Sequence, residues 1–226
     1  MDINTDTGAN EKAKSGISSI KKGALLGIIG IIISIPIYFI DSLLISDISG
    51  IIKLYAGISN TSKLPANSFT VYAIFIIFAF LSFVFYILSI VNYRKGFRDF
   101  MVTDSHFSGP YSFSKYIIIF FFIIIILLVF LLLVNLGAAN IGAMPLNDPG
   151  VLTAMLIISI IVLIFSILAL IGFIYLIIGL FDFSEKYGQG IGKAGAILYI
   201  IPFADILAPI FVYIAASHAE KENNTM

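Results

Sequence analysis

A single carboxylate inside an apolar segment is the residue of this sequence whose position most suggests chemistry. Asp205 lies between Pro202 and Pro209 in residues 194–216, which are otherwise almost entirely apolar. An unpaired carboxylate in the middle of a bilayer costs about 2.5–3.5 kcal/mol, so such a residue is normally partnered, protonated or turned inward. Asp205 is either an ion or proton site at a helix break or a cap on the backbone donors of the second half-helix. We favour the cap, because no second acid lies at matching depth.

A basic cluster interleaved with aromatic residues follows another apolar segment. Arg94, Lys95 and Arg98 stand in the run RKGFRDF. Such a cluster can recognise anionic lipid headgroups, or it can simply anchor a helix at the membrane edge. We favour ordinary anchoring and keep these three residues as candidate contacts to lipid headgroups.

Most catalytic and metal chemistry is disfavoured by composition and spacing. The chain has no cysteine, which excludes disulfides, iron–sulfur clusters and thiolate zinc sites. His106 and His218 fall on opposite sides of the membrane in the topology below, so neither a metal site nor a Ser-His-Asp arrangement is expected. The run GQGIGKAG lacks the spacing of a phosphate loop. We therefore predict no enzymatic activity, no cofactor and no metal, and a net charge of zero argues against nucleic acid as a partner.

Long apolar runs must position these residues. Residues 116–136 contain no charge and would form a helix of roughly 31 Å, the thickness of a bilayer's hydrocarbon core. With 60% hydrophobic residues, the chain is predicted to be an all-α, polytopic membrane bundle. About five transmembrane helices form one domain over 16–216, the last of them broken by proline, and the predicted spans are 23–45, 69–91, 116–136, 151–181 and 194–216. Residues 1–15 are predicted to be a disordered cytoplasmic tail, and 217–226 a polar tail.

The distribution of basic residues predicts the orientation in the cell membrane. With the N-terminus in the cytoplasm, five spans place most of the 13 Lys and Arg residues inside. The tail carries only Lys221, so 194–216 could instead be a re-entrant hairpin that returns the C-terminus to the cytoplasm. Asn60 and Asn223 begin acceptor sequons for glycosylation, and five spans place both outside.

The first span carries a face of small residues, which favours a protein partner. Gly23, Gly27 and Gly30 would let a neighbouring helix approach closely, through self-association or a second protein, with membrane lipids around the rest. Our first hypothesis is a non-enzymatic structural, assembly or partner-binding subunit. The alternative is a small ion or solute transporter or channel that uses Asp205 at the broken helix. A dry shell around Asp205 favours the subunit, and a polar cavity with converging Tyr, Ser or Asn groups favours transport.

Three stretches also resemble a known family. They are KSGISSIKKGALLGIIG, YRKGFRDF and SEKYGQGIGKAGAILYIIPFADILAPIFVYI. Together they resemble an archaeal family of multi-pass membrane proteins catalogued as a domain of unknown function, nine-seven-three in that series. The resemblance implies an archaeal cell-membrane protein, and it supplies no catalytic residue to carry over.

Overall fold

A computed structural model describes residues 3–55, 68–127, 149–201 and 204–225, and this part of the chain contains helices and turns but no strand. The predicted all-α class is confirmed. Short 3-10 turns occur at Ser105–Phe107 and Ala204–Ile206. The helices are α1 (Ile3–Tyr55), α2 (Ser68–Met101), α3 (Ser108–Phe113), α4 (115–127), α5 (Pro149–Lys186), α6 (Gly190–Leu198) and α7 (Ala208–Thr225).

Four helical stretches in the described residues are long and apolar enough to cross a membrane. Within the last stretch, the most apolar 18 residues have a mean hydropathy of 3.2 and only 6% of them are buried, so these apolar side chains face outward. In water such a surface would be unstable, whereas lipid tails solvate it. The stretches are Gly8–Ile37, Ile76–Met101, Ser105–Leu127 and Leu156–Lys186, and they overlap the first four predicted spans.

The N-terminal segment differs from the prediction. Residues 3–15, predicted to be disordered, form the first turns of α1, which then continues through Pro36 to Tyr55. Ala, Glu and Lys in this segment are strong helix formers, and the apolar span supplies the helix that they extend. The Ser15 hydroxyl also donates a hydrogen bond to Asp99 Oδ2 at 2.6 Å, which ties this end of α1 to α2.

Helices α1 and α2 run antiparallel along the small-residue face of α1. A Cβ placed on Gly23 would lie 2.7 Å from Tyr93 Cδ1, and one on Gly30 would lie 3.3 Å from Phe85 Cβ. The hydroxyl of Ser89 donates to the Gly23 carbonyl oxygen at 2.7 Å, across the same interface. The predicted close approach is therefore real, but the neighbour is another helix of the same chain.

Gly27, the third member of that face, meets the C-terminal helix. A Cβ placed on Gly27 would lie 3.1 Å from Pro209 Cβ of α7. All three glycines are buried. Helices α2 and α7 therefore contact, from within the chain, the face of Gly23, Gly27 and Gly30 at which we expected a protein partner or self-association.

An aromatic core closes one end of the bundle. Tyr93, Phe97, Phe100, Phe107 and Phe183 are among its fully buried side chains. Phe100 packs against Phe107 and Phe183 with ring centroids 5.1 and 5.7 Å apart. This end also gathers the charged segments near residues 14–21, 94–104, 184–193 and 217–223, as the polar contacts below show.

The C-terminal segment is interrupted as predicted, and its two helices fold back on each other. A Cβ on Gly192 would lie 2.7 Å from Ala215 Cβ, and one on Gly195 would lie 2.9 Å from Phe211 Cβ. Gln189 Nε2 lies 3.3 Å from Glu222 Oε2, where the hairpin opens. Residues 194–216 are therefore an antiparallel hairpin rather than a fifth continuous span, and α7 ends on the face where α6 begins.

Candidate functional site

The tip of this hairpin reaches the middle of the bundle. Helix α6 is nine residues long, about 14 Å and so half the hydrocarbon thickness. The Lys21–Glu220 ion pair, 2.7 Å long, marks the polar rim. Gly27, beside Pro209, is one and two-thirds turns further along α1, roughly 9 Å from that rim. Asp205 lies in the turn Ala204–Ile206, shortly before Pro209 in the chain, and so further from the rim than the C-terminal end of α7.

A cavity of about 170 Å³ lies beside the tip, between α1, α2, α4, α5 and the hairpin. Its walls are mostly apolar, and five of its described lining residues carry polar groups. These are Tyr86, Ser89, Tyr93, Tyr199 and Asp205.

Two tyrosines line this cavity on the side of the aromatic core. The hydroxyl oxygens of Tyr93 and Tyr199 lie 3.1 Å apart, within hydrogen-bond distance. Tyr93 is only 1% exposed and lies one helical turn from Phe97 of the core. Phe173 meets the Tyr199 ring edge-on at 6.4 Å. The cavity is therefore separated from the charged end of the bundle by packed rings.

Asp205 lines the cavity and is exposed within the chain itself. Among the described residues, no basic side chain lies within ion-pair distance of it, and no backbone N–H donates to it. The capping role that we favoured from the sequence is not formed there. Asp205 instead presents a carboxylate beside a cavity that also contains tyrosine hydroxyls.

Sequence reasoning singled out Asp205 but missed the groups that surround it. Tyr86, Ser89 and Tyr93 recur at i, i+3 and i+7 of α2 and hence lie on one helix face. That spacing was a signal that could have found them. Tyr199 carries no local signal, because it reaches the cavity only when α6 folds against the bundle.

Some side chains of the basic cluster make contacts within the chain. Arg94 Nε donates to the Tyr111 carbonyl oxygen at 3.2 Å, and its guanidinium lies 4.9 Å from the centroid of that ring. Arg98 Nε lies 3.6 Å from Asp99 Oδ1, and the Arg98 side chain is 52% exposed. Arg94 thus holds α3 against α2, while Lys95 and Arg98 stay open to solvent or headgroups.

A second polar cluster fastens the turn after α2 to the end of α5. Asp104 Oδ1 accepts the backbone N–H of His106 at 3.1 Å, and Lys186 Nζ lies 3.5 Å from Asp104 Oδ2. Burial disfavours the ionised form of Asp104, but the bond from His106 and the charge of Lys186 outweigh it and lower the pKa of this carboxyl. The ammonium of Lys186 also lies 5.9 and 5.7 Å from the ring centroids of Phe100 and Phe107.

The hairpin changes the predicted sides of several residues. Asn223 lies with Lys14, Ser15 and Glu220 around a polar cavity of about 360 Å³, on the face where α1 enters the bundle. The sequence model with five spans had placed Asn223 on the opposite face. His218 and His106 likewise lie at one end rather than on opposite sides. Even so, no group of three or more His, Asp or Glu in the described residues could hold a metal ion. Asn60 lies outside the described residues.

Comparison with known proteins agrees with the resemblance seen in the three motifs. The family model described as "Protein of unknown function (DUF973)" matches residues 14–224. No curated protein and no solved structure matches the chain. The matched range contains the hairpin, the cavity and the charged end of the bundle.

Proposed function

Because the chain belongs to the DUF973 family, which supplies no activity to transfer, we propose a function from the site itself. The protein is a multi-pass membrane transporter or channel that passes a small ion or solute by way of the cavity at the hairpin tip. The single observation that carries the proposal is the convergence of Asp205 with tyrosine and serine groups on one cavity at the hairpin tip.

The construction of the site supports this proposal. Transporters commonly build their sites near the midplane from interrupted helices, whose breaks supply polar groups that a continuous helix would satisfy internally. Here the nine-residue α6 and the 18-residue α7 are separated by a break that carries a carboxylate. An ionisable residue inside a membrane costs free energy, so residues of this kind usually have a partner or serve a function.

The rival role is a non-enzymatic structural or assembly subunit. Its main sequence argument was the glycine face of α1, which α2 and α7 now occupy. Membrane lipids remain expected partners, through the outward apolar surface and through Lys95 and Arg98. The subunit role is the function that remains if the protein moves no solute.

We place the protein in an archaeal cell membrane with both termini in the cytoplasm. The support for this orientation is that the basic segments share one end of the bundle, as their contacts with Glu220, Asp99 and Asp104 indicate. Positively charged residues of short loops are retained on the cytoplasmic side during insertion.

The test is charge movement in reconstituted vesicles. Concentration jumps of Na⁺, K⁺, H⁺, NH₄⁺ and alkylammonium ions are applied to proteoliposomes on a solid-supported membrane. At least one ion should give a current that is lost in Asp205→Asn and retained in Glu185→Gln, a matched change at a carboxylate that is 63% exposed. A wild-type protein silent with every ion would overturn transport and leave the subunit role.

A further inference from the structure

The cavity at the hairpin tip combines one negative charge with aromatic walls. Phe121 and Phe173 contribute rings to its lining, and Tyr86, Tyr93 and Tyr199 contribute three more. Aromatic faces attract cations, most strongly where water is excluded. Among the described lining residues none is basic, so the field inside the cavity favours a positive ligand.

The polar groups are too few and too weak for a metal cation. Calcium takes six to eight oxygen ligands, and magnesium needs a near-ideal octahedron. The described lining offers one carboxylate and four neutral hydroxyls. The Ser89 hydroxyl already donates to Gly23, and those of Tyr93 and Tyr199 lie within hydrogen-bond distance of each other.

The class of ligand that fits this lining is an organic cation with an apolar body. The volume of about 170 Å³ is close to that of the cavity of about 150 Å³ that accommodates benzene in another protein. Apolar side chains such as Ile117 and Leu176 form much of the wall, and they would solvate hydrocarbon rather than a hydrated ion. A sugar or an anion would leave its polar groups unpaired against this wall.

We infer that this cavity binds a small organic monocation, an alkyl- or arylammonium ion, with its ammonium group at Asp205 and its apolar body among the rings of Phe121 and Phe173. The inference rests on the proposed transport site and names the substrate class of that site. The ligand would neutralise Asp205 inside the apolar layer, where an isolated carboxylate is unfavourable.

The test measures binding rather than flux. Benzylammonium is titrated calorimetrically at pH 7 into the full chain in nanodiscs, with empty nanodiscs correcting for partition into lipid. Benzyl alcohol, the neutral analogue of similar shape, and benzoate, the anionic one, are titrated in the same way. Benzylammonium should bind at least about tenfold more tightly than benzyl alcohol, because only the ammonium carries a positive charge that can pair with the carboxylate. Benzoate should not bind.

Two variants test whether the ligand binds at Asp205 and the aromatic wall. Asp205→Asn should abolish the preference for benzylammonium over benzyl alcohol, and Glu185→Gln should leave it unchanged. If Asp205→Asn fails to fold, Phe173→Leu tests the site instead, because it removes an aromatic ring while keeping an apolar side chain in the cavity wall. That variant should weaken benzylammonium about threefold to tenfold. Equal affinities for benzylammonium and benzyl alcohol in the wild type, or an unchanged preference in both folded variants, would overturn the inference.

The binding and transport experiments can fail independently, so their results distinguish the two proposals. Selective benzylammonium binding without a current from any ion would support the inference on ligand class and overturn transport. A Na⁺ or K⁺ current that depends on Asp205, with neither binding of nor competition by benzylammonium, would overturn the inference and leave transport standing.

Discussion

The hydroxyl oxygens of Tyr93 and Tyr199 lie 3.1 Å apart and join the C-terminal third of α2 to the residue that follows α6. This contact holds the hairpin against the spanning helices. Both tyrosines line the cavity, and Tyr93 is buried, one helical turn from Phe97 of the aromatic core.

Removing one hydroxyl of this pair should loosen the hairpin. Tyr93→Phe should lower the free energy of unfolding by about 0.5–1.5 kcal/mol, and by up to about 3 kcal/mol if the Tyr199 hydroxyl is left unpaired. Thermal unfolding in detergent measures the change. The double variant with Tyr199→Phe should cost less than the sum of the single changes, since both disrupt one interaction. Strict additivity would show that the two hydroxyls do not interact.

Enlarging Gly23 should separate α1 from α2. In Gly23→Ala the new Cβ would lie 2.7 Å from Tyr93 Cδ1 and 3.0 Å from the Ser89 carbonyl oxygen, so a helix must shift. We expect a loss of about 1–3 kcal/mol in stability, read from thermal unfolding. The control is Gly8→Ala in the same helix, where nothing lies within 4 Å. That change should be neutral or stabilising by up to about 1 kcal/mol. Equal effects of the two variants would contradict the packing of this face.

Because the hairpin places both histidines at one end of the bundle, we expect them at the same face of the membrane. The chain has no cysteine, so His106→Cys and His218→Cys each introduce a unique label site. Both side chains are exposed, and an impermeant maleimide should label both from the same side of sealed vesicles. Labelling from opposite sides would show that residues 194–216 cross the membrane completely.

If residues 194–216 form a hairpin in the membrane, the sequons at Asn60 and Asn223 lie on opposite sides of it. With the N-terminus in the cytoplasm, only Asn60 would be reachable by glycosyl transfer outside the cell, and Asn223 would stay unmodified. Mass spectrometry of the native protein reads both sites. Sugar at Asn223 would mean that the C-terminal face of the bundle is external.

Acid should weaken the anchor between the α2–α3 turn and α5. The pKa of Asp104 is lowered in the folded chain, so its ionised form stabilises the fold above its ordinary pKa of 3.8, and this contribution is lost as pH falls toward the lower folded value. Asp104→Asn should therefore be less stable than the wild type at pH 7, and the difference should shrink as the pH falls below 3.8. Thermal unfolding from pH 7 to pH 3 measures it. A difference that stays constant over this range would show that ionisation of Asp104 is not involved.

The sequence by itself determined the membrane class, the approximate spans and the interruption of the last segment. Partition into lipid depends on local composition, and runs such as 156–170 are apolar on every face of a helix. Pro202 and Pro209 interrupt residues 194–216 for an equally local reason, since proline lacks a backbone donor. The motifs around Arg94 and along the last segment also identified the family that the matched range confirms.

Only the tertiary structure decided which faces meet. The spacing of Gly23, Gly27 and Gly30 encodes a close approach, but a small surface accepts any helix that fits, and here α2 and α7 are the partners. The direction of the last segment depends on contacts such as Gly195 with Phe211, which lie on opposite sides of the break. Because that fold-back sets where Asp205 and Tyr199 lie, their meeting with α2 at one cavity follows from packing between distant segments, which local sequence patterns do not encode.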